Sequence, residues 1–307
     1  MSAQPICKGC GQLIRGSYIL ALDTTWHSEH LVCAACHQPL DSASFYQHQG
    51  KSYHIECYRR QIASRCTYCG KPLIGKYIVD SWGTKYCVEH ATEYPACRFC
   101  GRLVPPRYQG NRAGSSGQVQ CPLCRASAVE SITQARPIFA GLVRWINRQE
   151  LLYNNLDLRI KLCNQSQLTK YLHPAGDTSA LGATWHSIYI QNGGIVRTEV
   201  NGVVIVRSLP PPLFQGVTVH ELGHAWLIVH RIMNLPSWAE EGFCELLAHR
   251  FYSEMATAEC NHYASCIESN PDSVYGEGFR RVYTLAKAVG FQHFVEVLRI
   301  TKQLPSI

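Results

Sequence analysis

No apolar run in the chain approaches the roughly 20 residues that a membrane-spanning helix needs, and the opening MSAQPICKGCG is no secretory signal. The expected compartment is therefore the cytoplasm, with no membrane partner. Charge is also scarce, at 17% of residues, and no stripe of lysine and arginine interleaves with aromatics. Nucleic acid accordingly ranks low among expected partners. The formal net charge of +7 shrinks to a modest value once metal-bound thiolates are set against the ions that would hold them. A hydrophobic content of 46% excludes a wholly disordered chain, and 307 residues suggest two or three domains.

Cysteine is abundant, and its spacing argues against a disulfide scaffold. Twelve of the sixteen cysteines and four histidines form pairs with two residues between their members: Cys7/Cys10, His27/His30, Cys33/Cys36, His54/Cys57, Cys66/Cys69, Cys87/His90, Cys97/Cys100 and Cys121/Cys124. A two-residue gap lets one tight turn aim both side chains at one ion, and two pairs complete a tetrahedral zinc site. The eight pairs predict four structural zincs. After Cys124 the pairs stop, and Cys163, Cys244, Cys260 and Cys266 remain as free thiols, with Cys244 expected in the core.

The stretch VTVHELGHAWLIVH carries a different signature. On a helix His220 and His224 lie on one face, four residues apart, with Glu221 beside them, which is the HExxH arrangement of a zinc hydrolase. The next predicted helix, LPSWAEEGFCELLAHRF, reads as starting near Trp238 with Ser237 and Glu240 as a capping box. Glu240 is thereby assigned a structural place, and Glu241 is the candidate third ligand, leaving the fourth position open for water. Glu245 shares the face of Glu241. Gly223 costs about 1 kcal/mol relative to alanine inside a helix, which points to a close approach there.

Between the cysteine pairs and HExxH, Ala128 to Tyr153 has helical spacing interrupted by Pro137 and reads as a connection to the last domain. Leu156 to Leu162 alternates as a strand. SIYIQ, IVRTEV and VVIVRSL form three further strand-like runs, separated by the hairpin signals Asn192-Gly193-Gly194 and Asn201-Gly202. PPRYQGNRAGSSGQ reads as a polar, glycine-rich loop. The predicted class is α+β, a small antiparallel sheet preceding the HExxH helix. Domains are expected at 1–62, 63–126 and 127–307.

These motifs resemble known families. From Cys7 to Tyr58 the ligand order C-x2-C, sixteen residues, H-x2-H, two residues, C-x2-C, seventeen residues, H-x2-C is similar to that of LIM domains, with Trp26 before His27 and His30 where LIM domains usually carry cysteine. The resemblance implies that the first two pairs share one ion and the last two the other. The second module, Cys66 to Cys124, looks LIM-like, but six residues separate His90 from Cys97, and a cross-braced, RING-like pairing stays open beside the sequential one. HELGH followed by EEGF-x-E resembles the gluzincin metallopeptidases. That resemblance implies Glu241 as the zinc ligand, Glu245 as the acid that orients a zinc histidine, Glu221 as general base, and Tyr275 of the YGEG segment as donor to the oxyanion, with Tyr283 a weaker candidate.

The whole layout is similar to the LIM-domain peptidases that restrict plant organ growth and are activated by ubiquitination. It implies a cytoplasmic zinc endopeptidase with one catalytic and four structural zincs, cleaving protein substrates, whose LIM-type modules bind protein partners or regulate access to the cleft. Those plant enzymes carry ubiquitin-interacting motifs before the LIM domain. Only six residues precede Cys7 here, so ubiquitin is a doubtful partner. The competing expectation is a catalytically inactive zinc-finger scaffold.

Overall fold

The computed structural model describes residues 4–40, 44–108, 119–154, 156–172, 180–191 and 194–306. Residues 109–118 of the expected polar loop and the Asn192-Gly193 part of the expected hairpin signal lie outside the described residues. The chain divides into two compact units, Met1–Pro95 and Ala96–Ile307. That division falls inside the second predicted module, between His90 and Cys97.

The first unit is built on antiparallel hairpins of three-residue strands: β1 (Ile19–Ala21) with β2 (Thr24–Trp26), β3 (Tyr46–His48) with β4 (Lys51–Tyr53), and β5 (Tyr77–Val79) with β6 (Lys85–Cys87). Two-stranded ribbons this short are not stable alone. One-turn helices α1 (Ile55–Cys57) and α2 (His90–Glu93) follow the second and third hairpins. The core is small, with Leu31, Cys33, Leu40 and Tyr53 buried and Ile19, Trp26 and Ile62 against them. So little apolar area leaves metal binding to supply much of the folding energy. His37 and His48, which lie off the ligand pattern, are exposed.

The second unit opens with the fourth cysteine group and α3 (Pro122–Ala126). The helix α4 (Ile132–Arg148) starts at a capping box between Ser131 and Gln134 and runs through Pro137. It buries Phe139, Leu142, Trp145 and Ile146, so it belongs to the core and does not serve as a linker. Then come β7 (Arg159–Cys163), α5 (Gln165–Leu168), β8 (Gly182–Gln191) and β9 (Gly194–Val206), in a sheet of order β7-β9-β8. The β8–β9 pair is antiparallel as expected, whereas β7 joins β9 in parallel.

Asn201-Gly202 is not a hairpin. β9 continues straight through it, and the register with β8 shifts by a residue between Trp185 and His186. Gly202 has φ +144, and a side chain there would collide with the backbone of Arg159 on β7. The Asn-Gly pair therefore marks a bulge in a continuous strand.

Five helices complete the unit: α6 (Pro211–Val229), α7 (Ser237–Met255), α8 (Ala258–Ser269), α9 (Gly276–Val289) and α10 (Phe291–Thr301). α6 is apolar nearly all round, as expected of a helix buried on every side, and it packs against β8 and β9, α4 and α7. Phe214, Leu222 and Trp226 of α6, Phe243 and Leu247 of α7, and Phe294 of α10 are fully buried. No helix among the described residues is long and apolar enough to cross a membrane.

α6 approaches α7 closely at Gly223, where an added Cβ would stand 2.9 Å from Cys244 Sγ and 3.1 Å from Leu247 Cδ1. Gly223→Ala should therefore lower stability by about 1–3 kcal/mol, because overpacking outweighs alanine's better helix propensity. Chemical denaturation of the two proteins measures this, and an equal or higher midpoint for the variant would contradict it.

Candidate functional site

The cysteine pairs come together as four groups: Cys7, Cys10, His27 and His30; Cys33, Cys36, His54 and Cys57; Cys66, Cys69, Cys87 and His90; Cys97, Cys100, Cys121 and Cys124. Pairing is sequential in every case, which answers the question left open for the second module. The geometry suits zinc. A tetrahedron with Zn–S near 2.3 Å has S–S edges of about 3.7–3.8 Å, and mixed S–N edges are somewhat shorter. Observed separations are 3.8 Å for Cys69–Cys87, 3.6 Å for Cys100–Cys121 and 3.5 Å for Cys7 to His30 Nδ1. Backbone N–H groups of His27, His54 and Cys121 donate to the sulfurs of Cys7, Cys33 and Cys97. Such donors stabilise thiolate over thiol. The cysteine substitute His30 takes its place with Nδ1 3.1 Å from that of His27.

A fifth constellation lies in the second unit, where α6 and α7 pack antiparallel. Nε2 of His220 is 3.2 Å from Nε2 of His224, and Glu241 Oε2 is 3.1 Å from the first and 3.4 Å from the second. Three atoms in mutual contact cannot be explained by one hydrogen bond. Moreover, each ring has a carboxylate at its other nitrogen: His220 Nδ1 lies 3.3 Å from Glu245 Oε1 and His224 Nδ1 lies 3.1 Å from Glu240 Oε1. With Nδ1–H given to those acids, both Nε2 lone pairs face the Glu241 carboxylate, an arrangement that repels unless a cation sits between them. Donors at 2.0–2.1 Å from zinc would stand about 3.3–3.4 Å apart, so the triangle fits the ion.

Cys244 also comes within reach of both histidines. Burial pushes its thiol pKa up. For Glu241, burial on its own would raise the pKa, but when the His220 and His224 rings carry protons at Nε2 their hydrogen bonds prevail and hold the carboxyl well below the ordinary range.

Glu221 sits next to this triangle, 7% exposed. Thr184 Oγ1 at the start of β8 lies 3.0 Å from Glu221 Oε2 and 2.8 Å from the Glu221 carbonyl oxygen, tying the acid to the sheet. Burial raises the Glu221 pKa above its usual 4.5. The ring of Tyr275 stacks near that of His220, with centroids 6.3 Å apart. Its placement is set by Asp272, whose Oδ1 accepts the N–H groups of Val274 and Tyr275. Tyr283 packs instead on Phe279 and His249 and does not line the cleft.

His220, Glu221, His224, Glu240, Glu241, Glu245 and Tyr275 line one cleft of about 1190 Å³, bordered by Gly182 to Thr184 and His186 of β8, Tyr252 of α7 and Tyr263 of α8. Among the described residues, the lining includes Glu221, Glu240, Glu241, Glu245 and Asp272 and no lysine or arginine. Such a surplus of carboxylates again favours a cation. The expected capping box of Ser237 and Glu240 does not form, because α7 begins at Ser237 after Pro236 and no side chain caps it. The carboxylate of Glu240 turns to His224 instead. The first acid of the doublet Glu240-Glu241 was the available signal for this contact, and helix-start logic hid it.

Residues 7–62 match the LIM domain, and 187–265, which include every residue from His220 to Glu245, match the DA1-like family described as Protein DA1. The chain is homologous to Protein DA1 of Arabidopsis thaliana, 23% identical over 98% of this chain and 68% of that protein. It is similarly related to LIM domain-containing protein HDR3 of Oryza sativa subsp. japonica, 22% identical over 98% of this chain and 74% of that protein. Paxillin-B of Dictyostelium discoideum is 36% identical over 38% of this chain and 19% of that protein. LIM domains are protein-interaction modules, which agrees with the partner-binding role expected for the first unit.

Proposed function

We propose that the protein is a zinc-dependent endopeptidase in which His220, His224 and Glu241 hold the catalytic ion, while the four cysteine-rich groups hold structural zincs. The observation that carries this reading is the triangle of donor atoms with a buried acid at its side, open to a cleft large enough for a peptide. When bound, zinc supplies Lewis acidity that lowers the pKa of water towards about 7 and polarises a carbonyl.

The chain's own residues do the rest. Glu221, held by Thr184, accepts a proton from the attacking water and passes it to the leaving amine. Tyr275 donates its hydroxyl to the oxyanion that develops at the scissile carbonyl. β8 is an edge strand of its sheet, and its first residues border the cleft, so an extended substrate can pair along it by strand addition. The LIM-type modules recruit protein partners or substrates.

The test is metal content per chain. Wild type is expected to carry five zincs and Glu241→Ala four, with cleavage of protein substrates lost in the variant. Equal metal content in the two proteins would remove this assignment.

A further inference from the structure

A metal-ligating imidazole works well only if its other nitrogen is held, and two imidazoles need two such partners. Glu245 serves His220, as the gluzincin resemblance implies. Nothing in that resemblance supplies a partner for His224, and Glu240 reads from the sequence as a residue of the helix start. In the structure no side chain caps α7, and Glu240 Oε1 lies 3.1 Å from His224 Nδ1.

We propose that Glu240 is a positioning residue of the metal site: its carboxylate accepts the Nδ1–H of His224, locks that tautomer and ring angle, and turns the Nε2 lone pair towards His220 and Glu241. The inference rests on the metal-site reading above and adds to it. Its geometry follows from helix spacing. Residues 240 and 241 are about 100° apart around α7, so Glu241 reaches the centre of the triangle while Glu240 flanks the outer edge of His224. Glu245, one turn further on, flanks His220. Each imidazole therefore has its own carboxylate, and a carboxylate makes the ring a stronger base and a tighter ligand than a neutral acceptor does. The side chain of Glu240 is 42% exposed, against 18% for Glu245. Water competes more at the first contact, which places its effect at the lower end of the 10–100-fold usual for such partners.

The experiment uses the full-length zinc-loaded protein, dialysed against graded EDTA, with zinc counted per chain and steady-state cleavage measured in parallel. Wild type should release one zinc ahead of the four cysteine-bound ions. Glu240→Ala should release that same zinc at an EDTA concentration about 10-fold lower, with a lower kcat and little change in KM. Glu240→Gln keeps an oxygen that can accept the Nδ1–H but lacks the charge, so it should recover part of both losses. A Glu240→Ala release curve and kcat like those of wild type would overturn the proposal, as would a glutamine variant no better than the alanine one. If wild type and Glu241→Ala hold the same number of zincs, the metal-site reading itself fails and the role of Glu240 falls with it.

Discussion

Glu221→Gln is expected to slow peptide cleavage by about 10²–10⁴ while leaving zinc content and thermal stability at wild-type levels. The substitution preserves shape. Glutamine fills the same buried space beside β8, and its amide oxygen can accept the Thr184 hydroxyl that now meets Glu221 Oε2. What it loses is the ability to take a proton. Since Glu221 is not among the three atoms of the triangle, metal binding has no reason to change. Burial raises the Glu221 pKa, which brings the base closer to the working pH, where proton transfer is most efficient. The sign of the pH effect follows. Below the raised pKa the acid is protonated and inactive, so the acidic limb of the wild-type profile should lie above the ordinary value of 4.5. Wild-type turnover by Glu221→Gln would sink the general-base assignment.

The second large effect concerns the fourth cysteine group. Replacing both Cys100 and Cys121 by serine in the full chain should destabilise the unit that spans Ala96–Ile307, whereas the same change at Cys66 and Cys69 should leave that unit intact. The fourth group lies within the second unit, and all four of its cysteines are buried. Its flanking segments are sewn into the surrounding fold: Val129 N–H donates to Leu209 O, Ser208 N–H donates to Val129 O, and Gln120 Nε2 donates to Ser208 O. On α8, Tyr263 has a raised pKa, first through burial and then through the negative charge of Cys124, Cys100 and Cys97, and it also lines the cleft.

Loss of a structural metal ranks among the few single causes of destabilisation beyond about 4 kcal/mol. At roughly 2–4 °C per kcal/mol for a unit of this size, that is a drop of about 8–16 °C in Tm. It should be accompanied by loss of cleavage, because a cleft wall moves. Differential scanning calorimetry of the two double variants decides the matter, and equal effects from the two cysteine groups would contradict the assignment.

Much of the site was legible before any coordinates. HExxH fixes the relation of His220, Glu221 and His224 through helix period alone, and two-residue gaps identify metal-ligating pairs because one turn can aim both side chains. Glu241 and Glu245 follow from the same period on the next helix. Helix-start chemistry, by contrast, misled at Glu240, since a capping box and a reach across to another helix call for the same residue type at the same position. Asn201-Gly202 misled in a similar way: the pair that makes a tight hairpin also makes a bulge, and only the approach of β7 decides between them. The parallel entry of β7 was hidden because a five-residue strand carries no mark of its partner's direction.

By itself the sequence determined which residues can bind metal, because ligand chemistry is local and turn and helix periods translate short spacing directly into geometry. It also determined where the hydrophobic faces lie. The tertiary structure alone decided which pairs come together in the second module, that the fourth cysteine group sits with the second unit, that Glu240 faces His224 and that Tyr275 comes beside His220. Each of those depends on packing between segments distant along the chain, where the free energy belongs to the contact and to neither segment alone.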